Sequence, residues 1–315
     1  MGYAKEELTM TTLVTGGAGF IGSHLVERLL AAGHSVRVLD NLSTGKRENL
    51  PRHPALDVQV GDVGDLGAVQ TAVRGVTAVY HLAAVASVQA SIDDPVGTHG
   101  ANLIGTLHLL EAGRRAGITR FIYASSAAVY GDTTQLPIAE TATLRPLSPY
   151  AADKLAGEHY LQFYAAKHGV RPTAFRFFNI YGPRQDPSSP YSGVISIFVS
   201  RARAGLPVTI FGDGLQTRDF VYVGDLVEVL YGALDNANLV GQTINVGRGI
   251  ESTLLELLAK LETVLGKPIE RKHDAPRIGD IAKSRADVRR LDALLGWVPQ
   301  TDLQAGLAHL VASEN

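Results

Sequence analysis

The chain has 315 residues, 45% hydrophobic and 19% charged, enough apolar content for a sizeable core and too much for a disordered chain. Its 29 basic and 31 acidic residues leave a formal charge of −2, so no basic excess points to nucleic acid or an anionic membrane. Cysteine is absent, which removes disulfides, thiolate nucleophiles and Cys-ligated zinc together and leaves oxygen, nitrogen and cofactor chemistry.

Residues 1–9 (MGYAKEELT) lack an apolar core, and Glu6 stands where a myristoylation motif needs Ser or Thr, so they read as a short extension with no role in the fold. No uncharged apolar run approaches the ~18–20 residues of a membrane span. The expectation is a soluble, cytoplasmic protein.

In chain order, strands are expected at 11–15, 35–40, 56–61, 78–82, 120–124 and 173–178, with helices near 20–32, 65–74, 98–116 and 149–168. Several strands are apolar at consecutive positions, as in a parallel sheet covered on both faces. Alternation of this kind predicts an α/β fold with a doubly wound parallel sheet. Residues 181–193 (YGPRQDPSSPYSG) are rich in Pro, Gly and Ser and break the pattern. Short strands follow near 208–211 and 242–246, with helices near 194–204, 225–235, 252–265, 287–295 and 302–312. They predict a smaller mixed α/β lobe.

Residues 11–24 (TTLVTGGAGFIGSH) run from a strand through Gly16, Gly19 and Gly22 into a helix. Glycines there let the backbone approach a pyrophosphate, and the helix N-terminus offers N–H donors. Asp40 closes the next strand, 18 residues past Gly22. A carboxylate there accepts from both ribose hydroxyls and repels a 2′-phosphate, which favours NAD over NADP; Lys46 and Arg47 downstream keep NADP open. Further on, Tyr150 and Lys154 are four apart on a helical pattern and share a face. The segment 120–131 (RFIYASSAAVYG) places Ser125 and Ser126 at a strand end. A nearby ammonium lowers a tyrosine pKa from ~10, making a base that takes a hydroxyl proton as a nicotinamide takes hydride.

With these pieces assembled, the chain resembles the extended short-chain dehydrogenase/reductases, specifically nucleotide-sugar 4-epimerases. The motifs are TGGAGFIGSH, DNLSTGK (40–46), GDV (61–63), HLAA (81–84), SSAAVYG (125–131), YAADK (150–154), RFFNIYGPRQ (176–185), GDGLQTRDFVYVGD (212–225) and PRIGD (276–280). The resemblance runs from about residue 11 to about 310. It implies that Gly16, Gly19, Phe20, Ile21 and Gly22 hold the pyrophosphate of NAD. Asp40, Asn41, Ser43, Thr44, Gly45 and Lys46 would surround the adenosine ribose, and Asp62 and Val63 the adenine. Leu82, Ala83 and Ala84 would line the cofactor cleft, and Lys154 would touch the nicotinamide ribose. Tyr150 is implied as catalytic base. Ser126 matches the family serine, with Ser125 as the fallback. Asn179, Arg218 and Arg277 would bind the sugar diphosphate, and Asp280 the nucleoside ribose.

The resemblance further implies a dinucleotide-binding domain at 10–180, completed by a return segment near 221–250. Residues 181–220 and 251–315 would form a nucleotide-sugar lobe. Ser284 stands where narrow-specificity relatives carry a bulky tyrosine, leaving room for an acetamido group, and 186–195 resembles the corresponding loop of the UDP-GlcNAc-preferring branch. The expected reaction interconverts UDP-GlcNAc and UDP-GalNAc, and UDP-Glc and UDP-Gal beside them, through a 4-keto sugar. A UDP-glucuronate 4-epimerase stays open. A 4,6-dehydratase or a decarboxylase would carry acids where Ala127 and Ala128 stand, and a non-catalytic NAD-binding relative would have lost the Tyr-Lys pair. The ten histidines show no metal-ligand spacing, so no metal is expected. Family members dimerise through helices matching 98–116 and 149–168, so a homodimer is expected.

Overall fold

The computed structural model describes residues 11–188, 193–276 and 281–313. Residues 1–9, the middle of the 186–195 loop, Arg277 and Asp280 therefore lie outside the described residues.

The first half is strand β1 (Thr11–Thr15), helix α1 (Phe20–Ala31), β2 (Ser35–Asp40), β3 (Leu56–Val60), α2 (Leu66–Ala72), β4 (Val76–His81), α3 (Val88–Asp93), α4 (Pro95–His99), α5 (Gly105–Arg115), β5 (Arg120–Ser126), α6 (Pro149–His168) and β6 (Arg171–Phe177). Then come β7 (Asn179–Tyr181), α7 (Val194–Arg203), β8 (Val208–Phe211), β9 (Thr217–Arg218), β10 (Phe220–Tyr222), α8 (Val223–Gly232), β11 (Thr243–Val246), β12 (Ser252–Thr253), α9 (Leu254–Leu265), β13 (Arg271–Asp274), α10 (Arg289–Leu295) and α11 (Leu303–Ser313).

Seven parallel strands form the main sheet in the order β11-β6-β5-β4-β1-β2-β3. Successive side chains on a strand face opposite ways. Val14, Val38, Tyr80, Ile122 and Phe175 accordingly join one core with α1 and α8, while Leu13, Leu39, Val79, Phe121 and Ala174 join the other with α2, α5 and α6. Both faces are dry, which explains the consecutive apolar residues and confirms the doubly wound reading. Fully burying each such Leu, Val or Phe contributes roughly 1.5–3 kcal/mol.

Strand order reverses between β1 and β4, and in such sheets the crevice outside the carboxyl ends of the strands receives the ligand. A third core, with Phe198, Ile210, Leu257, Leu258, Leu261, Leu307 and Leu310, lies among α7, α9, α11 and β8. There β8 pairs with β13, and β9 with β12.

Several boundaries differ from expectation. The helix expected at 98–116 begins at Pro95, capped by Asp94, and contains a π-helical turn over Gly100–Ile104. Residues 252–253, expected as helix, pair with β9, and α9 starts at Leu254 behind a Thr253–Glu256 capping box. Strand β13 was not anticipated: its sequence RKHD is exposed along its whole length, and it is held by the backbone ladder to β8, an Arg271–Glu262 ion pair and a His273 Nδ1 bond to Gly212 O.

Candidate active site

The phosphate-type turn follows β1 directly. Gly16 has φ +68°, and a Cβ there would lie 2.8 Å from Ala83 N, so the turn and the segment after β4 touch backbone to backbone. A Cβ on Gly22 would lie 2.1 Å from Gly16 O, which makes that glycine a demand of the turn itself. Gly19 differs, because its φ is −77° and a Cβ would meet only Gly16 O, at 3.2 Å. Gly19 also opens α1 with no side-chain cap and no acid in the first turn. Packing therefore asks little of this position, and uncapped N–H groups at a helix start fit an anion.

Asp40, buried at the end of β2, fits the ribose side. One carboxylate oxygen accepts from Ala18 N and the other from Leu42 N, both at 2.9 Å, leaving further acceptor capacity on each. Lys46 N donates to Ala18 O at 3.0 Å, folding the 41–46 loop over the glycine turn. Asn41 Oδ1 accepts from Ser43 N and its amide donates to Asp62 Oδ2 at 2.6 Å, bringing the expected ribose and adenine residues together beside the buried Val63.

Beyond β4, Leu82 N donates to Thr15 O and Ala83 N to Thr15 Oγ1. A buried chain supports them: Thr15 Oγ1 bonds His81 Nδ1 at 2.8 Å, and His81 Nε2 bonds Thr106 Oγ1 at 2.9 Å. Burial, reinforced by the Lys154 charge, pushes His81 down to about 3, so it is neutral. Asn102, in the π-helical turn, accepts from Val85 N and donates to Val85 O. Neither His81 nor Asn102 was singled out as a functional side chain from sequence.

Tyr150 and Lys154 lie on the first turns of α6, behind the Ser148 cap and Pro149. Lys154 Nζ donates to Ala124 O at 2.8 Å and stands 5.0 Å from the Tyr123 ring centroid and 5.8 Å from that of Tyr150. Burial lowers Lys154 to about 8, opposed by Asp153. The electrostatic expectation needs correction here. Burial raises the Tyr150 phenol above its ordinary value, and the group that counters it is Ser126, by hydrogen bonding. Ser126 also caps the following turn, accepting from Ala128 N. Ser125 points elsewhere and donates to Glu158 Oε1 at 2.5 Å.

On the opposite side, Asn179 opens β7, and its N–H donates to Asp219 O at 3.0 Å. Arg218 Nη1 donates to Thr217 O and Ile281 O. Asp219 is fully buried and accepts from Arg248 N, Gly249 N and Ala286 N at 2.8–3.0 Å. Burial raises it to about 6 against those bonds. It ties Arg218 to the segment carrying the buried Ser284; a short polar side chain after Arg218 in a turn-rich motif gave no sign of that role.

Turn, acidic strand end and Tyr-Lys helix around one crevice define a dinucleotide-binding α/β enzyme. The chain matches the model of the NAD dependent epimerase/dehydratase family over residues 12–247. It is 42% identical over 309 residues to a UDP-glucose 4-epimerase of Mycolicibacterium smegmatis, covering 96% of this chain and 97% of that one. Among solved structures, a UDP-glucose 4-epimerase of Thermus thermophilus in complex with NAD superposes with a TM-score of 0.90 at 43% identity, covering 96% and 98% of the two chains. A UDP-N-acetylglucosamine 4-epimerase of Methanobrevibacter ruminantium, in complex with UDP-N-acetylmuramic acid, gives 0.92 at 36% identity, covering 97% and 98%. The protein belongs to the NAD-dependent epimerase/dehydratase family, and its cofactor is NAD.

Proposed function

We propose that the protein is a UDP-sugar 4-epimerase that interconverts UDP-GlcNAc and UDP-GalNAc, and UDP-Glc and UDP-Gal beside them. The observation that carries this reading is that Ser126 ends β5 and Tyr150 and Lys154 open α6, joined across the sheet's carboxyl end by the Lys154 Nζ bond to Ala124 O at 2.8 Å. Gly16, Gly19, Phe20, Ile21 and Gly22 would hold the pyrophosphate, and Asp40, with 41–46, the adenosine ribose. Bound NAD would supply the hydride acceptor. Tyr150 Oη takes the proton from the sugar 4-hydroxyl, and Ser126 Oγ hydrogen-bonds the same oxygen. Lys154 keeps an ammonium in the buried floor of the site. The 4-keto sugar would then turn about its diphosphate linkage, and Tyr150 would return the proton to the 4-oxygen once that carbon is reduced again. Net redox change is zero.

Asn179 and Arg218, with Arg277 and Asp280, are our candidates for holding the nucleotide. The small side chain of Ser284 is what would leave room for an acetamido group. Exposed Ile92, Val96, Tyr160 and Phe163, on α3, α4 and α6, support a homodimer. Proton NMR of the purified protein with UDP-GlcNAc and no added NAD tests the reading: a UDP-GalNAc anomeric signal is expected to grow. Conversion of UDP-Glc or UDP-glucuronate alone would keep the mechanism and overturn the sugar assignment. Silence with all three, NAD added, would overturn the epimerase reading.

A further inference from the structure

Under the proposed site lies a buried polar network that the chemistry above does not use. Glu158 stands one turn beyond Lys154 and two beyond Tyr150, so the three share a face of α6. Its carboxylate accepts Arg176 Nε at 2.9 Å, Arg176 Nη2 at 2.7 Å and Ser125 Oγ at 2.5 Å. The Arg176 and Glu158 side chains are only 5% and 6% exposed. Arg176 Nη1 donates onward to Tyr130 Oη at 2.8 Å and Glu140 O at 3.2 Å. Tyr130 Oη donates to Asn245 Oδ1 at 2.6 Å, and Asn245 N donates to Glu140 Oε1 at 2.9 Å. One network thus joins the ends of β5, β6 and β11 to the helix that carries Tyr150.

Stability does not account for it. Desolvating two charges offsets their attraction, and well-packed apolar residues in place of a buried ion pair are often as stable or more so. What an apolar pair lacks is direction. The guanidinium fork fixes the plane of the Glu158 carboxylate, and the carboxylate fixes the Ser125 hydroxyl. Ser125 is the peptide neighbour of Ser126. We propose that Glu158 and Arg176 are positioning residues: by pinning Ser125 at the end of β5 they hold Ser126 Oγ where it meets Tyr150 Oη.

The inference rests on the roles given above to Tyr150 and Ser126. Its test compares Glu158→Gln, Arg176→Met and the double variant Glu158→Leu/Arg176→Met with wild type. Three readings are taken: thermal midpoint, kcat and KM, and the ionisation midpoint of Tyr150. The last is followed by NMR on tyrosine labelled at Cζ and assigned with Tyr150→Phe. The single variants strand one buried charge and lose thermal stability, whereas the double variant regains it. Single and double variants alike are expected to lose kcat by on the order of 10- to 100-fold with KM little changed, as displaced catalytic groups do. The Tyr150 midpoint is expected to rise, because the phenolate has lost its Ser126 hydrogen bond. A double variant with wild-type kcat and a wild-type Tyr150 midpoint would overturn the proposal. If the wild type turned over no UDP-sugar, the epimerase reading would fail, and the Tyr150 midpoint would still decide this inference.

Discussion

Substituting Gly19 by alanine separates cofactor binding from folding. The residue has φ −77° and ψ −175°, an extended conformation open to any L-residue, and the new Cβ meets only Gly16 O, at 3.2 Å. Exchanging Gly for Ala at a helix N-cap costs about 0.5–1 kcal/mol. In a chain of this size that is a fall of roughly 1–2 °C in thermal midpoint. The methyl, however, enters the space over the uncapped first turn. A pyrophosphate displaced from one of those N–H groups loses a charge-assisted hydrogen bond worth roughly 1.5–3 kcal/mol, or about 10- to 150-fold in Kd. Gly22→Ala is the contrast, since its Cβ would sit 2.1 Å from Gly16 O and 2.7 Å from Gly17 Cα, and it should destabilise the protein before any ligand is added. Calorimetry on NAD-free protein gives the thermal midpoint and the NAD affinity of each variant. Gly19→Ala with wild-type NAD affinity, or as unstable as Gly22→Ala, would refute the reasoning.

Tyr150→Phe removes the proposed base and should lower kcat by about 10²–10⁴ while bound NAD per chain stays unchanged; wild-type turnover would end the assignment. Lys154 links the site to stability through pH. Its folded pKa of about 8 lies below its ordinary 10.5, so between those values the unfolded chain binds the extra proton and stability rises with pH, by up to roughly 3 kcal/mol. The thermal midpoint of NAD-free wild type should therefore climb relative to Lys154→Met from pH 8 to 10.5, a difference in which the common titration of buried tyrosines cancels. Parallel curves would contradict the lowered pKa of Lys154. Ser284→Tyr should lower kcat/KM for UDP-GlcNAc at least about tenfold more than for UDP-Glc, as pocket-filling changes do; equal losses would remove Ser284 as the specificity gate.

The sheet was legible because its strands are buried on both faces, so uninterrupted runs such as Leu13-Val14 and Phe121-Ile122 mark them without reference to partners. Boundaries slipped where local chemistry overrode pattern. Pro95 behind the Asp94 cap starts a helix earlier than apolar periodicity shows, and Ser252-Thr253 owe their extended form to Arg218 and Thr217 across the ladder. Strand β13 has no apolar side chain to betray it.

The site divides the same way. Gly16, Asp40, Tyr150 and Lys154 stand out as candidates in the sequence because their spacing along one strand, turn or helix is itself the geometric requirement. Which serine turns toward the core of the sheet was not legible, since Ser125 and Ser126 are adjacent and alternate across the strand. Only Glu158, 33 positions away, shows which serine is taken. Asp219, His81 and Asn102 escaped for a related reason. Each serves backbone or side-chain groups that become neighbours only after the sheet closes, as when Asp219 gathers N–H groups from residues 248, 249 and 286. A buried polar residue is stable only when so satisfied. Sequence shows its type, and the fold alone shows its partners.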